Sequence, residues 1–107
     1  MLHRVIHGQA NNPPLLIVHG LFGSGRNWSV IAKRLSDMRQ VFAVDLRNHG
    51  QSPWSDHHRY IDMAEDLAEV ITAHGAPMDV LGHSMGGKAA MTLALTHPEL
   101  VRRLIVA

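Results

Sequence analysis

Short, largely apolar segments alternate along the chain with longer segments of helical periodicity, and this alternation constrains the fold most. The apolar segments are residues 15–18 (LLIV), 41–46 (VFAVDL), 78–81 (MDVL) and 104–107 (LIVA). Strands that are apolar throughout, rather than at alternate residues, are typical of a parallel sheet covered on both faces. The pattern therefore predicts an α/β fold, with a mostly parallel sheet, right-handed crossovers and flanking helices.

Three segments between these strands carry apolar residues at helical spacing. The first helix is predicted over residues 28–35, with Ser24 or Asn27 as its cap. The second is predicted over 61–71 and the third over 85–96. The residues before the first strand are interpreted as a leader, which ends at Pro13-Pro14.

Composition excludes several classes of protein. The 107 residues allow one domain, and a net charge of +1 gives no electrostatic reason to bind nucleic acid or anionic lipid. The absence of cysteine excludes a disulfide scaffold and fits a reducing compartment. Residues 1–7 lack the apolar stretch of a secretory signal, and no apolar run is long enough for a membrane span. We expect a cytoplasmic protein, with its oligomeric state left open.

Nine histidines raise the question of a metal site. They are scattered, without an H-E-x-x-H pair, and the adjacent pair His57–His58 lies in a polar segment predicted to be a loop. Adjacent side chains in regular structure face apart, so such a pair seldom binds one ion. We expect no metal and no organic cofactor.

The last predicted strand, residues 104–107, coincides with the end of the sequence. An unfinished strand would leave a long apolar sheet edge, which natural proteins avoid. We therefore expect residues 1–107 to be the N-terminal part of a single larger domain, truncated after the strand that follows the third helix.

The strongest candidate for chemistry is Gly82-x-Ser84-x-Gly86, which lies directly between a predicted strand and a predicted helix. In a nucleophile elbow of this kind, the serine adopts a strained, positive-φ backbone and its neighbours two residues away must be small. The turn exposes Oγ at the N-terminus of the helix, where free N–H groups favour an anion. Taken alone, the motif favours a simpler interpretation, in which the glycines only allow a close strand-to-helix turn.

Three segments together carry a resemblance to a known family. Residues 19–23 (HGLFG), 45–52 (DLRNHGQS) and 82–89 (GHSMGGKA) resemble the α/β-hydrolase superfamily in wording, order and spacing. Within it, they are most similar to the bacterial esterases of the YbfF type and the ABHD11-like proteins. The resemblance implies a partial α/β-hydrolase fold over nearly the whole chain, with the cap and the C-terminal part absent.

The resemblance also implies roles for individual residues. Ser84 would be the nucleophile that attacks an acyl carbonyl, and the backbone N–H groups of Leu21 and Met85 would form the oxyanion hole. Phe22 would line the acyl pocket and is the alternative to Leu21 as backbone donor. The substrate would be a small-molecule acyl ester.

Other polar residues of these segments are given supporting roles. His19 and His83 flank turns and are not expected to transfer protons, since the family uses neither in that way. Asp45 and Arg47 are interpreted as residues that brace loops, because the family acid follows the serine in sequence. Trp28 could line the pocket or pack in the core.

Two thirds of a catalytic triad are missing from the sequence. The acid and histidine that follow Ser84 are Glu99 and His97, roughly 20 Å away at helical rise. The resemblance implies that the triad acid and histidine lie beyond residue 107, and the isolated chain is expected to be inactive.

Several functions fit this pattern. The first interpretation is a serine hydrolase of carboxylic esters or thioesters, and C–C-bond hydrolase and cofactor-free haloperoxidase activities stay open. Serine at the elbow, rather than aspartate, argues against the dehalogenase and epoxide-hydrolase branches. The alternative from another class is a non-catalytic truncated scaffold or binding module. A phosphate-binding loop or dinucleotide site is excluded because neither glycine motif occurs.

Overall fold

A five-stranded sheet forms the centre of the molecule. A computed structural model describes residues 1–9, 13–75 and 77–107. The strands are β1 (Arg4–His7), β2 (Leu15–Val18), β3 (Val41–Val44), β4 (Met78–Gly82) and β5 (Val101–Val106). Their order is β1-β3-β2-β4-β5, with β1 antiparallel to β3 and every other pair parallel. The predicted mostly parallel sheet is thus confirmed.

The three predicted helices are also confirmed, and they are α1 (Ser29–Leu35), α2 (Tyr60–His74) and α3 (Met85–Thr96). Short 3₁₀ turns precede α1 and follow α3. The predicted caps of the first helix lie one turn earlier than expected: the Ser24 N–H donates to Asn27 Oδ1 at 2.7 Å, around the 3₁₀ turn. Trp28, not Ser24 or Asn27, is the residue that directly precedes α1.

Two strand boundaries differ from prediction, and one strand was not predicted. β3 ends at Val44, since this residue still pairs with both neighbouring strands while the Asp45 carboxylate turns to bind loop backbone. β5 begins at Val101, three residues early, because its arginines are tolerated at a solvent-facing edge. β1 is the unpredicted strand.

The core explains why β2 and β3 are apolar throughout. Even-numbered residues of these strands, such as Leu16 and Phe42, pack against α2 and α3, whereas odd-numbered residues, such as Ile17 and Val41, pack on the α1 side. Because both faces are covered, alternation of polar and apolar residues is absent. This layering holds the carboxyl ends of β2 and β4 side by side, and the loops that follow them form the candidate site.

A buried carboxylate at the other end of β4 ties three segments together. Asp79 accepts hydrogen bonds from Arg102, at 2.9 and 3.0 Å, and from Arg39 at 2.6 Å. Burial alone would raise the pKa of Asp79, but the hydrogen bonds from Arg102 and Arg39 lower it below its ordinary value. The pair interactions therefore stabilise the fold above the unfolded-state pKa and are lost as the pH falls through the folded-state pKa.

Asp79→Asn is expected to lower the free energy of unfolding by about 2 kcal/mol near neutral pH, less than for a fully buried pair because both arginines are partly exposed. The difference from wild type should be smaller at about pH 3, below the ordinary aspartate pKa of about 3.9, because the stabilisation is lost as the pH falls toward the lowered pKa of the folded-state carboxylate. Urea denaturation of the whole gene product at both pH values measures this, with exposed Asp37→Asn as the matched control. A difference that grows in acid would contradict it.

Candidate active site

The backbone of Ser84 has the conformation predicted for a nucleophile elbow. Ser84 lies between β4 and α3 with φ 55° and ψ −116°, a backbone conformation that residues other than glycine seldom adopt. Its N–H donates to the Ala107 carbonyl at 3.1 Å, and its carbonyl accepts from the Lys88 N–H at 3.1 Å to begin the helix. The side chain is exposed at the carboxyl end of the sheet.

Two glycines make this turn sterically possible. A Cβ at Gly82 would lie 2.5 Å from the Gly86 carbonyl oxygen, and a Cβ at Gly86 would collide with the backbone carbonyls of Val18 and His19. These are backbone atoms, so no side-chain rotation could relieve the contacts. The small neighbours that the elbow requires are therefore needed for contact between α3 and the end of β2.

The loop after β2, residues 20–23, lies directly against the elbow. A Cβ built at Gly20 would be 3.4 Å from the Ser84 Cβ. The loop is closed by the Gly23 N–H, which donates to the Gly20 carbonyl at 3.0 Å, and Phe22 within it has φ 60°. We call residues 20–23 the oxyanion loop, after the role expected for the Leu21 N–H.

His19 orients the first peptide of this loop. Its Nε2 accepts the Leu46 N–H at 2.9 Å, so Nδ1 carries the ring proton and donates to the Gly20 carbonyl at 2.7 Å. Burial is the main cause that lowers the pKa of His19, and it keeps the ring neutral. Since C=O and N–H of one trans peptide point in opposite directions, the Leu21 N–H is directed away from His19. Both ring nitrogens of His19 are thus engaged in hydrogen bonds to backbone groups.

The backbone N–H groups considered for the oxyanion hole differ in whether each already donates a hydrogen bond. Among residues 1–9, 13–75 and 77–107, no acceptor receives the N–H of Leu21 or of Met85. Met85 is the first residue of α3, where N–H groups have no intrahelical partner. The Phe22 N–H, in contrast, donates to His49 Nε2 at 3.1 Å. The geometry thus favours Leu21 over Phe22 as the free donor.

A cavity of about 320 Å³ opens beside the oxyanion loop. Its lining includes Leu21, Trp28, Ile31 and His83, and the Trp28 and His83 rings meet edge-on with centroids 5.8 Å apart. Trp28 also packs against the α1 side of the core, and its contact with an acyl group stays a prediction. Phe22 is 91% exposed and outside this cavity, and its role in substrate binding stays a prediction.

The loop that follows β3 is braced by the residues expected to brace it. The Asp45 carboxylate accepts the N–H of Gly25 at 2.8 Å and that of Gln51 at 2.9 Å. Arg47 makes a paired hydrogen bond with Asp66 on α2, at 2.6 and 2.9 Å. These contacts fix the loop that carries His49 relative to the oxyanion loop. Sequence reasoning did not single out His49, although it lies within the DLRNHGQS segment.

The histidine and acid that follow Ser84 lie far from it. His97 and Glu99 come after α3, whose 12 residues span about 18 Å. His97 Nε2 lies 2.7 Å from Glu65 Oε1, and this hydrogen bond raises its pKa. Neither residue can reach Ser84.

Residues 1–9, 13–75 and 77–107 also bear on two other functions, metal binding and membrane crossing. No group of three or more histidine, aspartate or glutamate side chains in those ranges is placed to hold a metal ion. None of the helices there combines the length and apolarity that crossing a membrane requires.

Comparison with known proteins agrees with this geometry. The chain is 44% identical over 109 residues to the zebrafish (Danio rerio) "sn-1-specific diacylglycerol lipase ABHD11", covering 99% of the chain and 34% of the relative. It is 41% identical over 98 residues to "Esterase YbfF" of Escherichia coli, covering 91% and 39%. A solved "Marine microorganism esterase" superposes with a TM-score of 0.94 at 47% identity, covering 98% of the chain and 40% of that structure.

The chain spans about a third of the length of the curated relatives it matches, 34% and 39% in these two cases. The family model described as the alpha/beta hydrolase fold matches residues 13–107. The chain therefore belongs to the α/β-hydrolase family and is similar to its ABHD11 and YbfF members.

Proposed function

We propose that this chain supplies the nucleophile and the oxyanion hole of a serine hydrolase that cleaves carboxylic esters or thioesters. The observation that carries the proposal is the positive-φ Ser84, at φ 55°, placed at the start of α3 and against the oxyanion loop. The names of its relatives, a diacylglycerol lipase and esterases, support ester hydrolysis in general.

The chemistry follows from this placement. Ser84 Oγ attacks the acyl carbonyl while its proton passes to a histidine supplied by the rest of the protein. The carbonyl oxygen becomes an oxyanion that accepts hydrogen bonds from the Leu21 and Met85 N–H groups. The alcohol or thiol leaves with a proton from that histidine, and water then hydrolyses the acyl-serine by the same steps. The reaction needs neither a metal nor an organic cofactor.

We expect part of the substrate to bind in the cavity beside the oxyanion loop. Its volume of about 320 Å³ is near the lower limit of ligand pockets, which span about 300–1,000 Å³. Leu21, Trp28 and Ile31 give it an apolar lining suited to an acyl group of modest size. The substrate class proposed is therefore a small-molecule acyl ester or thioester.

A fluorophosphonate probe, which phosphonylates activated serines, tests the proposal. The whole gene product purified from its source is expected to gain one probe mass, located in the tryptic peptide 60–88 at Ser84. Ser84→Ala should take up none, and an excess of ester substrate should slow the labelling. A folded wild-type protein that gains no adduct would favour the non-catalytic scaffold instead.

A further inference from the structure

We propose that His49 is a positioning residue of this site, which holds the peptide bond between Leu21 and Phe22 and so keeps the oxyanion loop in its working conformation. The inference rests on the proposed function, because it assigns the Leu21 N–H to the oxyanion hole. His49 would act on the reaction only through this peptide, and it would touch neither the substrate nor Ser84.

The conformation of the oxyanion loop needs such support. The Gly23 N–H donates to the Gly20 carbonyl, so residues 20–23 form a β-turn with Leu21 and Phe22 at its centre. Phe22, the third residue, has φ 60°, which is the type II arrangement. Glycine or asparagine is the usual residue there, and phenylalanine is strained by about 1 kcal/mol or more. Without an external contact, the central peptide of the turn would be free to flip toward the type I arrangement.

His49 supplies that contact. Its Nε2 accepts the Phe22 N–H at 3.1 Å, and this N–H belongs to the central peptide of the turn. His49 Nδ1 then carries the ring proton and donates to the Arg47 carbonyl at 2.9 Å. A flipped central peptide would turn the Phe22 N–H away and leave Nε2, on a ring that is largely buried, without its partner. The hydrogen bond therefore favours the observed turn.

The ring of His49 is itself held in place. It is 8% exposed and stacks on His58, with centroids 5.8 Å apart and planes at 29°. It also contacts the ring of His19, with centroids 5.1 Å apart, and His19 is the residue that orients the Gly20–Leu21 peptide. Two histidines from different loops thus fix the two successive peptides on either side of Leu21. His19 orients the peptide that carries the Leu21 N–H, and His49 holds the next peptide and so keeps the turn around Leu21 in place.

Two amide replacements separate the hydrogen bonds of His49. His49→Asn can place its amide N–H near the Nδ1 position and keep the bond to the Arg47 carbonyl, but it does not reach Phe22. His49→Gln can place an acceptor near the Nε2 position and keep the bond to Phe22. The matched control is His57→Asn, the same change at an exposed histidine of the same loop.

In the whole gene product, His49→Asn is expected to lower kcat for a p-nitrophenyl ester by about 10- to 100-fold with KM within about threefold, since an oxyanion contact acts on the transition state. A trifluoromethyl ketone, which forms an oxyanion on serine, should lose affinity by a similar factor. His49→Gln should keep kcat within about threefold of wild type, as should His57→Asn. Amide hydrogen exchange at Phe22 should speed up in His49→Asn only.

The possible outcomes separate the two proposals. An active wild type whose His49→Asn variant keeps its kcat and its Phe22 exchange rate overturns the inference alone. Equal losses in the Asn and Gln variants, in step with a lower Tm, also overturn it, since they would show a merely structural role. A wild type that neither hydrolyses esters nor takes the fluorophosphonate adduct overturns the proposed function and the inference together.

Discussion

Replacing Ser84 with alanine is expected to lower kcat for ester hydrolysis by about 10⁴- to 10⁶-fold in the whole gene product, the loss seen when a serine nucleophile is removed from a triad. Oγ is the only atom deleted, so the acyl-serine cannot form and any remaining rate comes from oxyanion stabilisation and binding. Substrate affinity should change little, because the apolar cavity beside the oxyanion loop keeps its lining.

Steady-state kinetics with a chromogenic ester measure this effect, and Ser55→Ala in an exposed loop is the matched control. The melting temperature of Ser84→Ala should stay close to that of wild type, since alanine and serine meet a similar restriction at φ 55°. A Ser84→Ala protein that retains a tenth or more of wild-type kcat would exclude Ser84 as the nucleophile.

The elements predicted from sequence are those whose pattern is local. The repeat of apolar residues along α2 and the continuous apolarity of β2 each report burial by neighbouring layers. β1 carries no such pattern: Val5 and Ile6 are both about half exposed, at 47% each. This strand exists because its backbone pairs with β3, from Arg4 opposite Val44 to His7 opposite Val41. A pairing partner nearly forty residues away leaves no periodicity for sequence reasoning to find.

The candidate site likewise contains features that could be predicted from local sequence and features that could not. The elbow conformation of Ser84 could be predicted because a strand, two glycines and a helix all lie within a few residues of it. The support of the oxyanion loop could not, since His49 and Phe22 are 27 residues apart and meet only after the sheet has formed. The exposure of Phe22 could not be predicted either, because it depends on a strained turn. The sequence has no glycine at position 22 to indicate that turn.

Alanine at Gly86 should destabilise the protein strongly and alanine at Gly87 should not, although the two residues are adjacent in α3. Gly86→Ala is expected to lower the free energy of unfolding by about 3 kcal/mol or more. Its Cβ would collide with the carbonyls of Val18 and His19, and relief would require α3 to move away from β2. That movement would carry the Met85 N–H out of the proposed oxyanion hole, so fluorophosphonate labelling should fail as well.

Gly87→Ala is the control that separates this contact from the general effect of alanine in a helix. Its Cβ would meet the Val106 Cγ1 at 2.8 Å, a side-chain atom that can rotate away, and the Gly82 carbonyl oxygen at 3.2 Å. The better helix propensity of alanine, about 1 kcal/mol, offsets this crowding, so stability should stay within about 1 kcal/mol of wild type. Urea denaturation and labelling of both variants measure the contrast. Equal losses would mean that neither of the two glycine positions tolerates a Cβ. A loss confined to Gly86 would show that the close contact between α3 and the end of β2 shapes the elbow.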